Sequence, residues 1–217
     1  MASNRHTALF HKHEQAGAGF TEHHGWQVPA YFTFAQKEAE QLSQSAALSD
    51  VSWMTKLDLK GYGLKTPPSL RGARAWSLGQ LHYLVTCDPP ARDGALAQIR
   101  SAFSSAPDLA LPPPVYVTDV TSVYAHFLLA GPQSRGILRK LTSLNVTALD
   151  NLACGQASLA HAHSIVLRDD LGSVPAFHIL VSRDYGESVW DAVMHAGHEF
   201  HLVPFGLRAL DVMNGKL

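Results

Sequence analysis

Between Phe34 and Gly61 the hydrophobic pattern changes its period, and that change limits the folds open to this chain. Over Phe34–Leu48, Ala39, Leu42, Ala46 and Ala47 share one face while Lys37, Glu38, Glu40 and Gln41 lie elsewhere. Spacing of about 3.6 residues predicts an amphipathic helix. From Ser52 the repeat falls to about two, with Met54, Leu57 and Leu59 alternating toward Gly61, which predicts a half-buried strand. A helix followed closely by a strand must bury both apolar faces in one core or in two adjoining ones.

The rest of the chain repeats this mixture without a regular strand–helix–strand rhythm. Thr7–Ala16 reads as a helix broken by Gly17 and Gly19, with a loop at Gly25–Trp26 and Pro29. Tyr62–Arg74 carries Pro67 and Pro68 and reads as a loop, Gln80–Thr86 as a strand, and Ala91–Phe103 as a helix with Asp93 in its first turn, where a carboxylate suits the helix dipole. The run Ser104–Pro114 ends in three prolines and marks a subdomain boundary. Beyond it, Val115–Val120 and Tyr124–Leu129 read as strands and Gln133–Leu141 as a helix. Ala160–Leu167 and Ala176–Val181 form an antiparallel pair across Asp169–Gly172, and Glu187–Gly197 a last helix presenting Val189, Trp190, Val193 and Met194. The expected class is α+β, with antiparallel sheets and packed helices.

Composition excludes several functions. With 46% apolar residues, 16% charged residues and a formal net charge of −1 over 217 residues, the chain reads as globular. It lacks the basic patch expected of a nucleic-acid binder. Its apolar runs are too short to span a membrane, and its start lacks a signal-type apolar segment, so the expected location is cytoplasmic. Cys87 and Cys154 stand far apart and read as free thiols. His195, His198 and His201 recur at helical i, i+3, i+6 spacing, and H-x-H pairs occur at His11/His13 and His161/His163. Such a series drifts around a helix instead of converging on a metal, and no carboxylate or cysteine cluster accompanies it. No G-x-S-x-G elbow or H-E-x-x-H helix occurs.

Four blocks in order carry a resemblance. They are G-W-Q-V-P-A-Y from Gly25, followed by D-V-S-W-M at Asp50–Met54; A-G-P-Q-S-R at Ala130–Arg135; Leu167–Val181; and P-F-G-L-R-A-L-D at Pro204–Asp211. The chain resembles the folate-dependent aminomethyltransferases, the T-protein of the glycine cleavage system and its relatives. That resemblance implies a T-protein-like main domain from residues 1–50 with 115–217, and a smaller, shortened ferredoxin-like domain inserted at 51–114. It also implies transfer of a one-carbon unit from an aminomethyl-lipoyl arm to tetrahydrofolate. Met54, Thr86, His178 and Arg208 fall at positions implied to line the folate site. Read by itself, Met54 fits a core methionine better than a ligand contact, while Arg208 fits a surface or structural ion pair, as with Asp211 at i+3, as well as a ligand contact.

The chain also departs from the family pattern. Trp53 replaces the His of D-V-S-H-M, and His178 replaces a pterin-binding Glu. No Asp or Glu occurs between Asp58 and Asp88, where the family carries its reacting acid, so no catalytic residue is assigned. The sequence ends before the family's C-terminal barrel, and no K-G-C-Y-x-G-Q-E motif occurs. The expectation is therefore an aminomethyltransferase-like, folate-binding protein of one-carbon metabolism with impaired catalysis. The alternative is a non-catalytic subunit resembling the gamma subunit of heterotetrameric sarcosine oxidase. On that alternative a protein partner, or a second copy, packs where the barrel would lie.

Overall fold

In the computed structural model, which describes residues 5–103, 114–213 and 215, a strand β1 (Arg5–His6) precedes helix α1 (Phe10–Gln15), shorter than the expected Thr7–Ala16. The segment read as an aromatic loop is a hairpin, β2 (Gly19–His23) and β3 (Trp26–Tyr31). Its two-residue turn holds His24 at φ 50° and Gly25 at φ 82°. This left-handed pair matches the twist of the flanking strands, and glycine adopts it without a Cβ clash. Trp26, Val28 and Ala30 of β3 are buried.

Helix α2 (Ala35–Gln44) stops well before Leu48, and β4 (Ala47–Asp50) follows it. Ala46, Ala47 and Leu48 are completely buried because β4 lies inside a sheet, between β9 (Tyr124–Ala130) and the short β13 (Val203–Pro204). A strand buried on both faces loses its alternation, so its short apolar run mimics the apolar face of the preceding helix. The strand expected from Ser52 is β5 (Thr55–Lys60). Next come β6 (Ala73–Gly79), which sequence reading missed, then β7 (His82–Cys87), α3 (Arg92–Phe103) and β8 (Tyr116–Asp119). The expected linker at Ser104–Pro114 lies, apart from Pro114, outside the described residues. After β9 come α4 (Ser134–Arg139), β10 (Cys154–Leu159), β11 (Ala162–Arg168), β12 (Ala176–Ser182) and α5 (Gly186–Ala196), with α6 (Leu207–Met213) following β13. Because α5 ends at Ala196, His198 and His201 do not continue its helical series.

Two compact units result, Met1–Trp53 with Ser122–Leu217, and Met54–Thr121. β8 pairs with β5, which keeps 116–119 in the second unit, where the expected division at residue 114 gave them to the first. The first unit holds a six-stranded sheet in the order β10-β11-β12-β9-β4-β13 and a three-stranded sheet β1-β3-β2. One face of the larger sheet, with Phe127, Val166, Ile179 and Val181, forms a core with Ile137 and Leu138 of α4 and with Val189, Trp190 and Val193 of α5.

In the second unit the strand order is β6-β7-β5-β8, every neighbouring pair antiparallel. This is the ferredoxin-like order with one crossover helix, α3; the other crossover, residues 61–72, contains no helix. Leu57, Leu59, Tyr83 and Val85 pack with Ile99 of α3 in a separate core.

Candidate functional site

Strand register decides what His178 can do. It stands opposite Leu128, and His126 stands opposite Leu180, so the two imidazoles are diagonal neighbours on one face of the β9–β12 pair. His178 Nδ1 lies 2.8 Å from His126 Nε2. His126 is fully buried and His178 half-buried. The ring nitrogen of His178 nearest the strand is thus committed to a neighbour.

Behind His126 runs a buried polar network. Its backbone N–H donates to Ser52 Oγ at 3.0 Å. The Ser52 hydroxyl and backbone N–H in turn donate to Asp50 Oδ1 at 2.5 and 3.0 Å. The second Asp50 oxygen lies 3.1 Å from Nε2 of His13, a residue of α1 that is itself only 1% exposed. Burial pushes the Asp50 carboxyl up, but the hydrogen bond and charge of His13, with the Ser52 hydroxyl, outweigh it and hold it below the usual carboxylate range.

Ser, His and Asp therefore meet, yet in an order that cannot activate a nucleophile. The carboxylate sits between imidazole and hydroxyl, whereas a catalytic triad needs the imidazole between them. The network fastens α1 and β9 to the end of β4. Trp53, standing where the family has His, is buried with the His23 ring edge-on at 4.4 Å.

Arg208, also implied by the resemblance, is not part of this network. Arg208, exposed on α6, holds its guanidinium carbon 5.3 Å over the Tyr31 ring. It lines a cavity of about 670 Å³ with Tyr31, Thr33, Phe34, Ala35 and Gln36, and His178 is not among the lining residues. Among the described residues, Arg208 makes no ion pair with Asp211.

Met54 and Thr86 belong to the second unit. Thr86 is buried on β7, and its hydroxyl oxygen accepts the indole N–H of Trp76 at 2.8 Å. Half-buried Met54 offers its carbonyl to the Lys56 ammonium at 2.7 Å.

Lys56 itself went unnoticed in the sequence, because Lys56, Asp58 and Lys60 alternate with leucines like a solvated face. It is in fact completely buried. Its ammonium also donates to the Thr121 carbonyl at 3.3 Å, and its backbone N–H to the Thr121 hydroxyl at 3.0 Å.

Three acids of this unit bind cations or backbone. Asp58 meets His82 Nε2 at 2.6 Å and Lys60 at 3.0 Å, while Asp93 pairs with Arg92 at the surface. Asp119 accepts from Arg92 and from the Thr121 N–H. Burial raises the Asp119 carboxyl, but Thr121 and Arg92 bring it below its ordinary value. Neither Cys87 nor Cys154 forms a disulfide, and burial pushes both thiols up. Among the described residues no group of three or more His, Cys, Asp or Glu could hold a metal, and no helix is long and apolar enough to cross a membrane.

Comparison with known proteins agrees with this geometry. The GCVT N-terminal domain model matches residues 73–214. The aminomethyltransferase of Halothermothrix orenii is 25% identical over 95% of this chain and 63% of its own length. That of Acidobacterium capsulatum is 26% identical over 98% and 62%. The chain thus spans less than two thirds of the length of these curated relatives.

Among solved structures, the glycine cleavage system aminomethyltransferase T from Bartonella henselae superimposes with a TM-score of 0.76 at 17% identity, covering 97% of this chain and 62% of that one. A chain of heterotetrameric sarcosine oxidase from Corynebacterium sp. U-96 gives 0.58 at 19% identity, covering 76% of this chain and 92% of that one. Both likenesses establish the fold. With the family model matching well over half of its residues, the chain belongs to the GCVT N-terminal domain family.

Proposed function

We propose that this chain is an aminomethyltransferase-like, tetrahydrofolate-binding protein of one-carbon metabolism, cytoplasmic, in which the transfer step is impaired. One observation carries the reading. The stretch from β5 through β7 contains no carboxylate beyond Asp58, and Asp58 is held by His82 and Lys60. That stretch offers no carboxylate clear of a cationic partner to take or give the proton that amine attack on the aminomethyl group requires. His178, in the Glu position, keeps a polar contact for a pterin but cannot accept two N–H donors at once as a carboxylate does.

Calorimetric titration with tetrahydrofolate tests the binding half, and ammonia release from an aminomethyl-lipoyl donor tests the chemistry. The expected outcome is measurable heat and no ammonia above background. Replacing His178→Glu is expected to tighten tetrahydrofolate by roughly tenfold or more, the worth of a charge-assisted bidentate contact. Absence of heat at millimolar ligand would refute folate binding, and ammonia release at an enzyme's rate would refute impairment.

A second reading is a non-catalytic subunit that packs on a larger partner or on a second copy. It is supported by the 92% coverage of the sarcosine oxidase chain, a chain of comparable length. Native mass spectrometry of the untagged protein from its own cells should then give a stoichiometric complex. A clean monomer would count against it.

A further inference from the structure

The cavity beside Arg208 has walls fixed by a single buried carboxylate. Glu38 is 1% exposed. One of its oxygens accepts the backbone N–H groups of Phe32 and Thr33, both at 2.7 Å. The other accepts the Gly206 N–H at 2.9 Å. Glu38 thereby ties the segment leading into α2 to the segment leading into α6, with its charge met by three backbone N–H groups and the Thr33 hydroxyl. Gly206 completes the closure, since a Cβ there would lie 2.3 Å from the Ala30 carbonyl atoms. The two walls cannot drift apart without breaking buried hydrogen bonds.

Electrostatics then favours one sign of ligand. Of the residues lining the cavity only Arg208 is charged, and among the described residues no carboxylate pairs with it. Its guanidinium carbon lies 5.3 Å over the Tyr31 ring, and a guanidinium is the side chain that holds a carboxylate by two parallel hydrogen bonds. Lys37 stands nearby, its ammonium 5.7 Å over the Phe34 ring. Phe34 is 69% exposed and Tyr31 37% exposed, so aromatic surface is open to solvent beside the cation. A volume near 670 Å³ suits a molecule of one or two rings.

We infer that this cavity binds a small planar aromatic carboxylate, its acid group on Arg208 and its ring against Phe34 and Tyr31. The site is separate from that of His178 and does not rest on the folate reading.

Titration of the protein with 2-naphthoate, followed by amide chemical shifts, tests this. The expected result is saturable shifts confined to residues 31–37 and 206–209, with the neutral 2-naphthamide binding at least tenfold more weakly. Arg208→Gln, an exposed position whose folding is checked by its unchanged amide spectrum elsewhere, should lose a similar factor. Tetrahydrofolate should not displace the probe. Equal binding of acid and amide, full affinity in Arg208→Gln, or displacement by tetrahydrofolate would each overturn the inference. Loss of folate binding with naphthoate binding intact would sink only the function proposed above.

Discussion

Asp50 accepts from Ser52 on one oxygen and meets His13 on the other, with its side chain wholly out of solvent. Its folded pKa lies below its unfolded value. The stability it supplies is therefore fully present above the unfolded carboxyl pKa, about 3.9, and is lost as pH falls through the folded value. Asp50→Asn would leave the buried His13 without its charge partner and is expected to cost about 3 kcal/mol at neutral pH. Urea melts at pH 7 and pH 3 check this: the wild-type midpoint should fall between them, and the variant's should start lower and change less. The D-V-S motif was legible as a family mark, but its wiring to His13 was not. His13 lies 37 residues away in sequence and reads there as one polar position of an amphipathic helix. Lys56 shows the same limit, because alternation reports which face a side chain takes and not what covers that face.

At the scale of elements, helices with a clear apolar face, α3 and α5, and the apolar strands β9, β11 and β12 were readable because their periodicity agrees with their burial. β6 and β10 were not, being edge strands with mixed exposure. β4 was misread for the opposite reason, complete burial. The β10–β11 hairpin also conceals its turn. Leu159 pairs with Ala162, leaving Ala160 at φ 47° and His161 at φ 68° in a turn that usually uses Asn-Gly. The backbone is held there by the Ala160 N–H, which donates to the Leu141 carbonyl at 2.9 Å. His161→Gly should relieve the left-handed strain at some cost in unfolded-chain entropy, with a net gain of about 0.5 kcal/mol. A rise in thermal midpoint of a few degrees or less would register it; a fall would show that the imidazole does more than occupy the turn.

For the whole molecule, the order of the blocks already suggested a domain interrupted by an insertion, but the crossing points needed the hydrogen bonds of Lys56. Its ammonium joins Met54 to Thr121, the first and last residues of the inserted unit. Lys56→Met keeps the side-chain bulk but leaves the carbonyls of half-buried Met54 and Thr121 without this donor, an expected loss of about 1–3 kcal/mol. Hydrogen exchange should then accelerate across 54–121 more than across α5 and β12; a uniform acceleration would refute a local role for the clamp.

The same topology orders events during synthesis. Once Thr121 has left the ribosome, every residue of the inserted unit is present and its sheet can close. β4 must still wait, for β9 on one side and for β13, at Val203–Pro204, on the other. A folded insertion holds residues 54 and 121 together, so β4 reaches β9 across a short effective loop instead of 68 free residues. The topology thus lets the insertion close first, as an internal scaffold that brings the two halves of its host together.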